Sequence, residues 1–231
     1  MTSMLNKIKD CLSQRNHLKS VFDLSQKSIL NAILNNDVVS VIKPRQSGIT
    51  TVVLYYVASL MKFSNDRKSI AYFGFNNSSS ENFLKKLGFL LRGYYENNLR
   101  VNRKDLYLEG SYFKTIQDYY KLRGARFDVI IIDEAAFHKN LDHILIYASQ
   151  ALTSKGKLIC ISSLGGISDL NFQNFHFRLN NALEFYKKDL LIEKKDILNI
   201  SVVNGRIPHS VSLRCYKKPP TELKKEKLNI Y

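Results

Sequence analysis

Cysteine is scarce in this sequence of 231 residues, and its three cysteines, Cys11, Cys160 and Cys215, lie far apart. None of them belongs to a closely spaced C-x-x-C pair, and the histidines show no metal-ligand spacing. A disulfide framework is typical of small chains that are much richer in cysteine. The sequence therefore argues against a zinc-bound or disulfide-stabilised protein and suits a reducing compartment.

Long apolar segments are also missing. No run approaches the roughly 18–20 residues that a helix needs to cross a bilayer. The N-terminal segment contains lysines but no sustained apolar core, so it does not resemble a signal peptide. No internal repeat or low-complexity tract is visible. We expect a protein that acts in the cytoplasm and does not contact a membrane.

Acidic residues are few. The chain has 20 Asp and Glu against 35 Lys and Arg, which gives a net charge of +15 at pH 7. Such a basic excess favours a polyanionic partner, nucleic acid above all, because the binding of Lys and Arg to phosphates releases counterions and is therefore favourable. The alternative is an AT-rich genome, which would raise Lys, Asn and Ile content without any function. A hydrophobic fraction of 45% is sufficient for a folded core.

Strand and helix patterns alternate along the chain, which favours an α/β fold with a mainly parallel sheet sandwiched by helices. We predict residues 1–180 to form this domain and residues 181–231 to form a small basic lid or tail. A β-hairpin is expected around Glu109, Gly110 and Ser111. Helices are predicted at about 25–35, 50–63, 79–97 and 141–152. In addition to the hairpin, strands are predicted at 37–43, 69–75, 127–133 and 158–162.

A short β-branched strand runs into a segment with the features of a phosphate-binding loop, DVVSVIKPRQSGITT at residues 37–51. Gly48 and Thr50 fit the pattern G-x-x-x-x-G-K-[ST], but Ile49 stands where the lysine should be. Lys43 occupies the place of the first glycine, from which a cation could still reach the β and γ phosphates. We therefore expect Lys43 to be the functional lysine and Ile49→Lys to be tolerated. The alternative is an ordinary strand, loop and capped helix.

The loop would bind the phosphates through its backbone N–H groups and the N-terminus of the following helix. The hydroxyl of Thr50 would bind Mg²⁺. The predicted nucleotide-binding residues in and around this loop are Lys43, Arg45, Gln46, Ser47, Gly48, Ile49, Thr50 and Thr51.

A second segment, FDVIIIDE at residues 127–134, is an apolar strand that ends in two adjacent carboxylates. In nucleotide-binding α/β sheets the ligand lies beyond the carboxyl ends of the strands. Asp133 would therefore face the Mg²⁺ site, and Glu134 could polarise the attacking water as a general base. The alternative is an acidic pair that caps the following helix. Together with the loop, this segment predicts a nucleoside triphosphatase.

Four segments, in order, resemble the ATPase domain of the viral large terminase, the motor that pumps DNA into procapsids. VFDLSQKSIL, with Phe22, Leu24 and Gln26, is similar to the adenine-contacting segment of that family. KPRQSGITT resembles its Arg-Gln-x-Gly-x-Thr loop, and LRGARFDVIIIDEAAF resembles its acidic strand with the preceding Arg-Gly. LICISSLGG, which contains Ser162 and Ser163, looks like the motif that couples hydrolysis to movement.

The resemblance implies a P-loop NTPase of the terminase or additional-strand type that uses ATP and Mg²⁺. It assigns adenine recognition to Gln26, γ-phosphate sensing to Arg45, and to Arg123 the role of an arginine finger that reaches a neighbouring subunit. The implied partners are double-stranded DNA, further copies of the chain in a ring, and the portal and procapsid. A small terminase subunit and a separate nuclease could also take part, in the cytoplasm of the infected host.

Two departures from the family pattern stand out. Leu164 and Gly165 replace the usual proline and polar residue of the coupling motif. Only 65 residues follow this motif in the sequence, too few for the RNase H-like nuclease that the family normally carries, so no DNA cleavage is expected. Two other functions remain open: a non-catalytic scaffold or DNA-binding protein with the same fold, or a helicase-like ATPase.

Overall fold

The computed structural model describes residue 22 and residues 24–43, 46–64, 66–92, 98–163, 193–204 and 207–217. Arg45, Leu164 and Gly165 lie outside the described residues, so the role predicted for Arg45 stays a prediction.

Four helices and nine strands make up the described part of the chain. The helices are α1 (Leu24–Asn35), α2 (Ile49–Phe63), α3 (Asn77–Arg92) and α4 (Leu141–Ala151), with 3₁₀ turns at Tyr119–Leu122 and Ala135–Phe137. The strands are β1 (Val38–Lys43), β2 (Ser69–Phe73), β3 (Leu99–Val101), β4 (Asp105–Leu108), β5 (Ser111–Thr115), β6 (Phe127–Ile132), β7 (Leu152–Ser163), β8 (Glu193–Asn204) and β9 (Ile207–Lys217).

All nine strands belong to one sheet, in the order β3-β4-β5-β2-β6-β7-β1-β9-β8. The five central strands, from β5 to β1, are parallel to one another. Antiparallel strands extend the sheet on both sides: β4 and β3 next to β5, and β9 and β8 next to β1. The sheet confirms the predicted α/β fold. It also contains an additional strand, β7, between the strand that leads into the loop and the acidic strand β6.

The sheet is covered on both faces, which explains why β6, FDVIII, is largely apolar rather than alternating. Along β6, Val129 and Ile131 face one buried cluster, which includes residues of α1, α2 and α3. Ile130 and Ile132 face the other cluster, which includes residues of α4 and the turn at Tyr119–Leu122. These two cores hold β6 rigidly, so the residues directly after it have a fixed position.

The four helices and the hairpin lie where the sequence predicts them, but part of the sheet was misplaced or missed. The strand predicted at 158–162 begins at Leu152 in the structure. The sequence did not reveal its first half, LTSKGK, because that half is too polar to be recognised as a strand. The three-residue strand β3 was missed because it has a charged residue, Arg100, at its centre. The hairpin of β8 and β9 was also missed. It lies in the region predicted to be a lid or tail, and β9 pairs with β1.

No helix among the described residues combines the length and the apolar character that crossing a bilayer requires.

Candidate functional site

Three adjacent strands of the parallel sheet end at the same edge, and each brings a polar residue there. β1 ends at Lys43, β7 ends at Ser163, and β6 is followed directly by Asp133 and Glu134. Lys43 lies opposite Ser163 in the register of β1 and β7. Topology thus brings together residues that are far apart in the sequence, at the edge where α/β sheets bind their ligands.

Lys43, Glu134 and Ser163 form a closed set of contacts, which we call the strand-end cluster. Lys43 Nζ donates to Ser163 Oγ at 2.9 Å and lies 3.4 Å from Glu134 Oε1. Glu134 accepts two hydrogen bonds from Ser163, one from the backbone N–H at 2.8 Å and one from the hydroxyl at 2.6 Å. Lys43 is 6% exposed, so this charge is buried with its partners.

The backbone of Glu134 adopts the left-handed conformation, with φ of 50°. This conformation is uncommon for a residue with a side chain and is found preferentially at functional sites. The turn that follows is fixed to β7, since the backbone N–H of Ala136 donates to Ser162 Oγ at 3.2 Å. Both serines of the predicted coupling motif that the structure describes therefore contact the acidic segment, one through Glu134 and the other through Ala136.

Asp133 is buried beside the strand-end cluster. Its Oδ2 accepts a hydrogen bond from the hydroxyl of Tyr72 at 2.7 Å, and its Oδ1 accepts one from the backbone N–H of Glu134 at 3.1 Å. Burial raises the pKa of Asp133 above its usual value, although the Tyr72 hydrogen bond and the charge of Lys43 act in the opposite direction. Burial, together with the nearby Asp133 carboxylate, also raises the pKa of Tyr72, so Tyr72 is the proton donor of this pair.

The described part of the loop before α2 contains two residues in the left-handed conformation. Gln46 and Gly48 have positive φ, 61° and 72°, and α2 begins where the N–H groups of Thr51 and Val52 bond to the carbonyl of Gly48. Ser47 Oγ is buried and has no hydrogen-bond partner among the described residues. An unpaired buried hydroxyl is costly, and a bound phosphate would satisfy it.

Gln26 lies against this loop. Its Nε2 donates to the carbonyl of Ser47 at 3.0 Å. A Cβ at Gly48 would lie 2.5 Å from the same Nε2, so a larger residue would displace Gln26. The structure therefore brings Gln26 to the predicted nucleotide site, where it also braces the loop.

Ile49 points away from the site. Its side chain is 1% exposed and belongs to the buried cluster that covers one face of the sheet. The burial of Ile49 argues against the expectation that Ile49→Lys is tolerated, because a lysine there would enter the core. Ile49 can serve a phosphate only through its backbone N–H. Thr50 is half-buried and Thr51 exposed, both in the first turn of α2.

Arg123 lies elsewhere. It precedes the start of β6, whereas Asp133 follows its end, so a strand of six residues, roughly 20 Å long, separates the two. Arg123 Nη2 donates to the hydroxyl of Tyr147 at 2.6 Å. Its guanidinium carbon also lies 5.2 Å from the ring centroids of both Tyr120 and Tyr147. Arg123 is remote from the strand-end cluster of its own chain.

The carboxylate and hydroxyl oxygens at the site suit Mg²⁺ better than a metal ion whose ligands all come from protein side chains. The described residues contain no group of three or more His, Cys, Asp or Glu side chains that could hold a metal. Mg²⁺ is usually bound by one or two protein oxygens together with water and substrate phosphates. Asp133 keeps free lone pairs on both oxygens after its two hydrogen bonds, and Thr50 offers a hydroxyl.

Sequence reasoning missed one residue of the site, Tyr72. It belongs to an apolar strand, and no local pattern distinguishes it from a core aromatic residue. Its contact with Asp133 joins positions 61 residues apart. Only the pairing of β2 with β6 brings the two together.

No protein-family model and no curated protein matches this sequence. Solved structures do resemble it. The large terminase of a thermophilic bacteriophage matches with a TM-score of 0.56 and 15% identity over 70% of this chain and 44% of that chain. The same protein with ADP matches with a TM-score of 0.51 and 14% identity over 70% and 43%. The large terminase of the HK97 bacteriophage matches with a TM-score of 0.51 and 16% identity over 71% and 37%.

The resemblance to large terminases is thus confirmed for the fold. The match covers less than half of the length of each of these three terminase chains.

Proposed function

We propose that this chain is the ATP-hydrolysing motor domain of a viral DNA-packaging machine. One observation carries the proposal. Lys43, Asp133 and Glu134 meet at the carboxyl edge of the sheet, where Lys43 leads into a loop whose buried Ser47 hydroxyl has no hydrogen-bond partner among the described residues. The fold similarity to large terminases supports it, since one of them was solved with ADP and with ATP-γ-S.

Binding would use the loop and Lys43. The N–H groups at the start of α2 and the hydroxyl of Ser47 would face the phosphates, and Lys43 would neutralise their charge. Gln26 would contact the adenine while it braces the loop, and Arg45 would sense the γ phosphate. Thr50 and Asp133 would hold Mg²⁺, which neutralises charge on the phosphate oxygens.

Hydrolysis would use Glu134 as the general base. In the strand-end cluster its carboxylate is engaged by Lys43 and by both donors of Ser163. A bound triphosphate competes for Lys43, because it offers that ammonium group more negative charge than one carboxylate does. Release of Lys43 leaves Glu134 freer to accept a proton from water. Ser163, in the coupling motif, would change its contacts at the same moment.

Translocation would require several copies of the chain. Arg123 would act on a neighbouring subunit, because the distance along β6 keeps it from its own site, and a head-to-tail contact whose rotation closes gives a ring. The net charge of +15 suits double-stranded DNA as the partner. The portal and procapsid would anchor the ring.

The deciding experiment compares ATP hydrolysis by the wild type and by Glu134→Gln, with and without double-stranded DNA. We expect Glu134→Gln to retain ATP binding and to lose turnover by a factor on the order of 10² or more. Glu81→Gln, at an exposed ion pair with Arg103, is the matched control and should be unchanged. Hydrolysis by Glu134→Gln at the wild-type rate would disprove the catalytic assignment. A wild type that binds DNA but never hydrolyses ATP would favour the scaffold function.

DNA binding and the absence of cleavage are tested together. Affinity for duplex DNA should be independent of sequence and fall steeply with salt, because phosphate contacts dominate. Supercoiled plasmid incubated with the protein and Mg²⁺ or Mn²⁺ should remain intact. Nicking that disappears when a carboxylate in residues 181–231 is removed would show that this region has nuclease activity.

A further inference from the structure

Tyr72 connects the second strand to the acidic segment inside the protein. It is 1% exposed, and it lies on β2 directly beside β6. Its hydroxyl donates to Asp133 Oδ2 at 2.7 Å, and Asp133 is itself 7% exposed. A hydrogen bond between two buried groups cannot be exchanged readily for one with water, so it constrains both side chains.

The ring of Tyr72 is held by two other aromatic residues. It stacks on Phe83 of α3 with ring centroids 4.2 Å apart and planes at 23°. Phe113 of β5 lies 6.0 Å from Tyr72 and 5.5 Å from Phe83, the latter pair stacked at 12°. The three rings belong to one of the two cores, so the phenol cannot swing away from Asp133 without opening a cavity.

Asp133 has hydrogen-bond donors on both oxygens as a result. Tyr72 binds Oδ2, while the backbone N–H of Glu134 binds Oδ1. The two donors together set the rotation of the carboxylate and leave its remaining lone pairs in fixed directions. A metal-binding carboxylate depends on such outer partners, whose loss typically lowers metal affinity or activity about 10–100-fold.

We propose that Tyr72 is a positioning residue that orients Asp133 for Mg²⁺, an inference that rests on the proposed nucleotide site. Tyr72 does not touch the nucleotide. It acts through Asp133, and the stack with Phe83 transmits the packing of α3 to the metal site. Loss of the hydroxyl should therefore weaken the response to Mg²⁺ without changing the affinity for nucleotide alone.

The test is Tyr72→Phe, which removes one oxygen and keeps the ring stack. Tyr56→Phe is the matched control, because Tyr56 is an equally buried tyrosine on α2, 2% exposed and in the same core. For each protein, the dissociation constant of a fluorescent ATP analogue is measured in EDTA and across a Mg²⁺ titration. Tyr72→Phe should need at least about 10-fold more Mg²⁺ than the wild type to reach half of the Mg²⁺-dependent gain in affinity for the analogue. Its affinity for the analogue in EDTA should match the wild type. Tyr56→Phe should match the wild type both in EDTA and in its Mg²⁺ requirement.

The outcomes separate the two proposals. If the wild type shows no Mg²⁺-dependent tightening, the proposed function fails. If the wild type tightens and Tyr72→Phe tightens at the same Mg²⁺ concentration, the role of Tyr72 is disproved while the site stands. Phe83→Leu keeps the hydroxyl but loosens the ring, and it should raise the Mg²⁺ requirement less than Tyr72→Phe does. Should Tyr72→Phe not fold, a wild-type Mg²⁺ requirement in Phe83→Leu overturns the inference.

Discussion

Lys43 and Glu134 form an ion pair across three strands, with Lys43 Nζ 3.4 Å from Glu134 Oε1. The strand between them, β7, supplies Ser163, which contacts both side chains. The proposed phosphate-binding cation and the proposed general base are therefore parts of one cluster. A change at either residue alters the electrostatics of the other, so the two must be tested by different measurements.

Lys43→Ala should weaken ATP binding by on the order of 10²-fold or more, because it removes a buried charge that would face the phosphates. Isothermal titration with ATP and Mg²⁺ measures the loss. Lys85→Ala, at an exposed position on α3, is the control and should bind as the wild type does. ATP affinity that is unchanged in Lys43→Ala would show that the displaced lysine has no role in the loop.

Ile49→Lys should destabilise the fold rather than restore a conventional loop. The ammonium group would be placed in the apolar core without a partner, which costs on the order of 3–5 kcal/mol in the free energy of unfolding. Urea denaturation followed by circular dichroism measures this. Thr51→Lys, two positions along α2 and exposed, should stay within about 0.5 kcal/mol of the wild type. A fully stable Ile49→Lys protein that binds ATP would contradict the burial of this residue.

Asp133→Asn should abolish the Mg²⁺ response and, with the Tyr72 hydroxyl turned to accept a hydrogen bond from the new amide, stabilise the protein at neutral pH. Burial raises the pKa of Asp133, so the folded state binds this proton more tightly than the unfolded state does. Stability then falls as the pH rises from the ordinary carboxyl pKa of about 4 through the raised value. The asparagine variant lacks this penalty, so its gain in unfolding free energy should be present at pH 7 and disappear below about pH 4.

Chemical denaturation at several pH values tests this prediction. Asp66→Asn is the control, since the side chain of Asp66 is 87% exposed and its change should have little effect at any pH. A variant at Asp133 that is less stable than the wild type at pH 7 would show that the ionised carboxylate is held favourably after all.

Arg123→Ala should reduce ATP hydrolysis in the assembled motor by a factor on the order of 10³ while ATP binding is preserved. If Arg123 acts on a neighbour, mixing the two variants Arg123→Ala and Glu134→Gln restores activity. The first variant supplies an intact Glu134, and the second supplies an intact Arg123. In an equal mixture assembled at random into rings, roughly a quarter of the sites would combine an intact Glu134 with an intact Arg123 from the neighbour, so the rate should reach roughly a quarter of the wild-type rate. Arg126→Ala, which loses a surface contact to the Gln150 carbonyl, is the control. A mixture no more active than its components would exclude action between subunits.

The sequence predicts β1 and β6 well because these strands are rich in β-branched, buried residues. The position of Asp133 and Glu134 followed from the same logic, as acids directly after such a strand. The orientation of Ile49 could also have been found, since Ile49, Val53, Tyr56 and Leu60 recur at helical spacing and are all buried. The contact of Tyr72 with Asp133 could not, because it depends on which strands are neighbours and not on any local pattern.

The position of β1 affects how the protein folds while it is being synthesised. β1 lies between β7 and β9, and both are made long after it leaves the ribosome. Until then its apolar residues, Val38, Val39 and Val41, form an unpaired edge of the kind that aggregates. Pairing over such long sequence separations is slow. The strand that presents Lys43 is thus completed late, and we expect the yield of soluble protein to depend on slow synthesis and on chaperones that shield this edge.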